Sequence, residues 1–143
     1  MEKKERAPRV ISDATLDRYL SAILLLRQRL PIMRSVDVAN HLGYSKACVS
    51  MAVKQMTREA LVSVGGHGAL TLTDAGERRG LEHRQRCDYF HSLLLRSGVE
   101  DDAATAEASA ITRAVSGESY KALRRYLTQA GVPAPQATGQ GQT

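Results

Sequence analysis

Between Ser45 and Met56 the chain reads SKACVSMAVKQM, and its side chains are graded around a helix. Val49, Val53 and Met56 recur at the four-then-three spacing of one apolar face. The opposite side carries Lys46, Ala47, Ser50, Met51 and Lys54, with Ser45 as the cap in front of them. A merely solvated side is usually crowded with long charged residues, whereas this one opens with short ones and holds two lysines. Short side chains suit a helix pushed into a DNA major groove, which is about 12 Å wide. Lys46 and Lys54 could then reach phosphates and Met51 a thymine methyl, with Ser45, Ala47 and Ser50 near base edges. The plainer alternative is a small helical hairpin with no partner.

A second set of reactive side chains lies further on. His83, Cys87 and His91 are spaced by four and share one helical face. Any neighbouring pair could share a soft ion such as Zn²⁺ or Cu⁺. All three on one ion is not expected, because the outer two are about 12 Å apart along the axis. The bland reading is a mixed polar and core face. Oxidation of Cys48 or Cys87 is another candidate signal, although Cys48 reads more simply as a small buried apolar residue. No nucleophile elbow, phosphate loop or glycine-set carboxylate pair is present, so an enzyme is not expected.

The elements that must position these groups are legible from periodicity and punctuation. Helix one is expected from Asp13 or Thr15 to Arg29, with a wide apolar stripe from Leu16 to Leu26, and Pro31 stops it. Ser35 is expected to cap a short helix carrying Val38, Ala39 and Leu42, which Gly43 ends. Ala39, Gly43 four residues later and Val49 six further on have the spacing of a helix-turn-helix. LVSVGGHGALTLT reads as two strands around a glycine-rich turn, a wing placed directly after the second helix. Arg34, Ser35 and the wing-tip His67 join the DNA-contact candidates. Asp74 with Glu77 resembles a capping box for a long helix of about Ala75 to Arg96. An alanine-rich helix from Asp101 to about Val115 and a last one from Tyr120 to about Gln129, capped by Ser116, complete the ordered part. The alanine-rich helix and the stripe Leu81, Phe90, Leu93 and Leu94 suit a dimer interface.

The sequence therefore divides into a flexible basic arm (1–11), a winged helix-turn-helix DNA-binding domain (12–74), a helical dimerisation domain (75–130) and a disordered tail (131–143). The expected fold is mainly α, with a small β-hairpin wing. A net charge of +5 over 143 residues favours a polyanionic partner, while the lack of Trp argues against stacking platforms for single strands. Neither a secretory signal nor a membrane span is legible, and two unpaired cysteines fit a reducing cytoplasm.

Taken together, RSVDVANHLGYSKACVSMAVKQM, the wing LTLTDAG, DAGERRG, LDRYLSAILLL, RCDYFHSLLLRSGV and EASAITRAVSGESY resemble the diphtheria toxin repressor and manganese transport regulator family. The likeness runs over about residues 12–128 and fits the two-domain branch. It implies a homodimeric repressor that binds double-stranded inverted-repeat operators when loaded with Mn²⁺ or Fe²⁺. At the family's metal-ligand positions, however, this chain carries Arg18, Ser21, Cys87, Ser109, Thr112 and Arg113. Hard divalent ions need carboxylates and imidazoles, and only Cys87 retains a good transition-metal ligand. No metal cofactor is expected at that site. The alternatives are a metal- or thiol-responsive regulator using His83, Cys87 and His91 with a divalent Mn, Fe or Zn ion, and a helical protein-interaction module.

Overall fold

The structure, a computed structural model, describes residues 10–135. Residues 1–9 of the basic arm and 136–143 of the tail lie outside the described residues. Six α-helices and one two-stranded hairpin follow in the order α1 (Asp13–Leu26), α2 (Ser35–Leu42), α3 (Lys46–Arg58), β1 (Val62–Val64), β2 (Leu70–Leu72), α4 (Asp74–Arg96), α5 (Asp101–Ala114) and α6 (Gly117–Gln129). Two compact units divide within α4, after Glu82.

In the first unit α1 begins where Ser12 caps it, accepting from the Thr15 N–H at 3.2 Å. It stops at Leu26 rather than Arg29, and Arg27 to Arg29 continue as a turn. Leu16, Tyr19, Leu20 and Ile23 of α1 form the floor of a core shared with Val38 and Ala39 of α2 and Val49, Ala52 and Met56 of α3. Gly43 ends α2 in the left-handed region at φ 72°, as a C′ glycine should. Arg34, not Ser35, occupies the cap of α2. Its N–H donates to the carboxylate of Asp37, the third residue of the helix, at 2.9 Å.

The wing is an antiparallel pair with Val62 opposite Leu72 and Val64 opposite Leu70. Its tip is a single 3₁₀ turn, Gly66–Gly68, with His67 at φ 58°. The Leu70 N–H also donates to the Met33 carbonyl at 2.8 Å, which anchors the wing to the segment before α2.

The expected Asp74–Glu77 capping box does not form. Thr73 caps α4, its hydroxyl donating to the Ala60 carbonyl at 2.7 Å and accepting the Gly76 N–H at 3.0 Å. Glu77 instead pairs with Arg27 at 2.9 Å, and that guanidinium holds its carboxyl below the usual carboxylate range. The start of α4 packs back on the first unit, since Gly76 touches Leu61 and Gly80 touches Leu20. Arg79 adds an ion pair to Asp17 at 2.7 Å. This is why the division falls later than the expected boundary after residue 74.

Residue 11 is tied down rather than free. Buried Gln55 of α3 accepts the Ile11 N–H at 2.8 Å and donates to its carbonyl at 3.1 Å.

The second unit centres on Ala108 and on Tyr89, Phe90 and Tyr120, the three rings meeting edge-on at 5.6 to 5.9 Å. Ala104 and Ala108 are both buried and let α5 pack closely. Phe90, read as part of a dimer stripe with Leu81, Leu93 and Leu94, is committed to this core, whereas Leu81 of the first unit is 42% exposed. Ser116 caps α6, which starts at Gly117, three residues before the expected Tyr120. Residues 131–135, read as the start of the tail, fold back. Arg96 donates to the Pro133 carbonyl at 3.1 Å, and Ala134 packs on the aromatic core. Apolar Val132 and Ala134 interrupt the polar composition and are half-buried.

Candidate nucleic-acid interface

The geometry of α2, the turn and α3 follows from what is buried. Val49 and Ala52 are fully buried, and Ala39 is small enough for the two helices to touch. Burying that face leaves the other side of α3 to solvent. Lys46, Ala47, Cys48, Ser50, Met51 and Lys54 are all exposed, Met51 to 46%. Neither lysine has an ion pair among the described residues. A band of short side chains is thus flanked by two cations that no internal carboxylate neutralises.

Ser45 is exposed, but its hydroxyl already accepts the Cys48 N–H at 3.1 Å as the helix cap. One lone pair and the proton remain for another partner. Arg34 and His67, far apart in sequence, come together: the Arg34 Nε–H donates to the His67 carbonyl at 2.8 Å. The bond holds the wing tip beside the start of α2 and leaves the exposed His67 ring facing solvent. Ser35 is half-buried as the first residue of α2.

Three residues escaped the sequence reading. Cys48 was read more simply as buried, yet it is exposed on the outer side of α3. It directly precedes buried Val49, and about 100° per residue turns it outward. Val64 of the wing is 48% exposed although strand alternation sets it on the same face as buried Val62, because it lies at the tip end of the hairpin, beyond the core. Tyr44 carried no signal. It sits in the turn, half-buried, edge-on to Tyr19 at 5.6 Å. Burial pushes the Tyr19 hydroxyl up to about 12, so it is neutral at physiological pH.

Five of the six positions where the resemblance places metal ligands carry local side-chain bonds. In the first unit, Arg18 donates from Nη1 to the Tyr44 hydroxyl at 2.8 Å, and Ser21 is half-buried. In the second, Thr112 is buried with its hydroxyl donating to the Ala108 carbonyl at 2.7 Å, and Arg113 donates to the Ser109 hydroxyl at 3.2 Å. Of the other set, Cys87 Sγ lies 3.6 Å from His83 Nε2, while His91 turns to Asp101 at 2.9 Å. Among the described residues no group of three or more His, Cys, Asp or Glu is arranged to hold a metal ion.

Comparison with known proteins bears on the same region. No family model matches the chain. It is 28% identical over 116 residues to the transcriptional regulator MntR of Escherichia coli, covering 81% of this chain and 75% of that one. Among solved structures, it is similar to a manganese-dependent transcriptional repressor in complex with manganese, at 26% identity and a TM-score of 0.69, over 90% of this chain and 62% of the other. The manganese regulator SloR shares the fold at 22% identity and a TM-score of 0.69, over 82% of this chain and 54% of its own. The chain thus spans less than two thirds of those two solved proteins. No helix among the described residues is long and apolar enough to cross a membrane.

Proposed function

We propose, from the premise that this chain is a DtxR/MntR-like protein, homologous to MntR, that it is a cytoplasmic transcriptional repressor binding double-stranded operator DNA as a homodimer. The observation that carries this is the exposed side of α3, short in its side chains and flanked by Lys46 and Lys54 without internal partners. In this reading α3 enters the major groove, with Ala47, Ser50 and Met51 toward base edges and Lys46 and Lys54 on phosphates. Arg34 and His67 place the wing against the flanking backbone. The protein acts by binding and has no catalytic residues.

The residues at the family's metal positions do not fit a hard divalent ion. Two guanidiniums and three hydroxyls stand where carboxylates and imidazoles are needed, and both arginines are spent on local hydrogen bonds. The regulator therefore works without the family's metal. Operator affinity is expected to be the same with Mn²⁺, with Fe²⁺ and with chelator. A tenfold loss on chelation would overturn this and favour a second reading, in which the 3.6 Å approach of His83 and Cys87 accommodates a soft ion.

The direct test is selection of duplexes bound by the full chain, followed by affinity measurements over a range of salt. Lys46→Ala and Lys54→Ala should each weaken binding and lower the slope of log affinity against log salt by about one. Binding with unchanged slopes in both variants, or binding indifferent to sequence, would count against this docking and for a protein-interaction module.

A further inference from the structure

We infer that Arg18 is a positioning residue for the groove-reading helix: it clamps Tyr44, the residue in front of the α3 cap, and holds the start of α3 against α1. The inference rests on the DNA-binding reading of α3. Two adjacent residues of α1 grip Tyr44. Arg18 donates to its hydroxyl at 2.8 Å, with the guanidinium carbon 5.6 Å from the ring centroid. Tyr19, itself buried, meets the same ring edge-on at 5.6 Å. The backbone of Tyr44 is tied too, its N–H donating to the Ala39 carbonyl at 3.1 Å.

Tyr44 stands between Gly43, in the left-handed region, and Ser45, which caps α3. The orientation of the first turn of α3 depends on this three-residue joint, and that turn carries Lys46 and Ala47, with Ser50 directly after it. Short side chains have little reach, so they read a base edge only if the backbone is already placed. Setting the pose in the free protein removes an ordering cost from binding. A partly buried, charge-assisted hydrogen bond is strong enough to do so, and it needs no ion. Arg18 thus locks the joint through side chains of the chain itself.

The test compares the full chain with Arg18→Met, Tyr44→Phe and the double variant. Tyr44→Phe keeps the ring and deletes only the acceptor. Without DNA, the hydrogen-bonded amides of this joint, those of Tyr44, Cys48 and Val49, should exchange about tenfold faster in each variant, with the rest of the first unit unchanged. Operator affinity should fall about tenfold in each single variant and no further in the double. The salt slope should stay at the wild-type value, and Arg18→Lys, which retains a donor, should recover part of the loss. Unchanged amide protection would overturn the clamp whatever happens on DNA. Lost protection with full affinity would overturn the positioning role. A slope lower by about one would make Arg18 a phosphate contact instead. If the wild type selects no sequence, the reading of α3 fails and takes the positioning role with it, while the exchange data still decide whether the clamp exists.

Discussion

Ala47→Glu should leave the chain folded and cost at least about a hundredfold in affinity for the selected operator. Ala47 is the second residue of α3 and is exposed. An acid in the first turn of a helix is favourable, worth a few tenths of a kcal/mol against the dipole, so stability should not fall. On DNA the same substitution does two harmful things. It sets a long side chain where the docking needs a short one, and it brings a negative charge among phosphates and acceptor-rich base edges. Like-charge juxtaposition across an interface costs several kcal/mol, more than either lysine substitution should. Fluorescence anisotropy would report the affinity and circular dichroism the melting curve. Wild-type affinity in a folded variant would mean that the outer side of α3 is not the docked surface.

Gly76→Ala should be the most damaging small substitution to stability. In isolation the change would help, since alanine outranks glycine in a helix by about 1 kcal/mol. Here a methyl group would collide with the Leu61 carbonyl oxygen, and it would sit 2.9 Å from the Leu61 carbonyl carbon and 3.3 Å from Leu72 Cδ2. The obstacle is backbone, which cannot rotate away. That carbonyl also accepts the Thr73 N–H at 3.0 Å, so moving it loosens the junction from which α4 starts. Overpacking against fixed atoms and breaking that bond should together cost about 3 kcal/mol or more. The melting temperature of the first unit should drop by about 10 °C or more. Gly80→Ala is the internal comparison. Its nearest obstacle, the Leu20 carbonyl oxygen, is 3.0 Å away, so its cost should be about 1 kcal/mol. Equal melting curves for Gly76→Ala and wild type would contradict the packing of α4 on Leu61.

Much of the candidate interface was legible because burial and period specify which side of α3 is exposed. Val49 had to point inward, so Ala47, Ser50 and Met51 had to point outward, and Gly43 had to end α2. The same rule would have exposed Cys48, had its residue type not argued for the interior. Caps were less legible. At α2 the cap position fell to Arg34, whose N–H meets Asp37, and at α4 to Thr73, whose hydroxyl takes the Gly76 N–H, because helix ends shift by a residue or two with the bonds available.

By itself, the amino-acid order determined which faces are apolar and where helices must break. These depend on each residue's own chemistry and on neighbours within a few positions. Only the tertiary structure decided that Arg18 reaches Tyr44 across 26 residues, that Arg34 meets the wing tip and that Gly76 lies against Leu61. Such contacts join segments distant along the chain. Local periodicity says that a side chain faces inward or outward, and only the packed core fixes what it meets there.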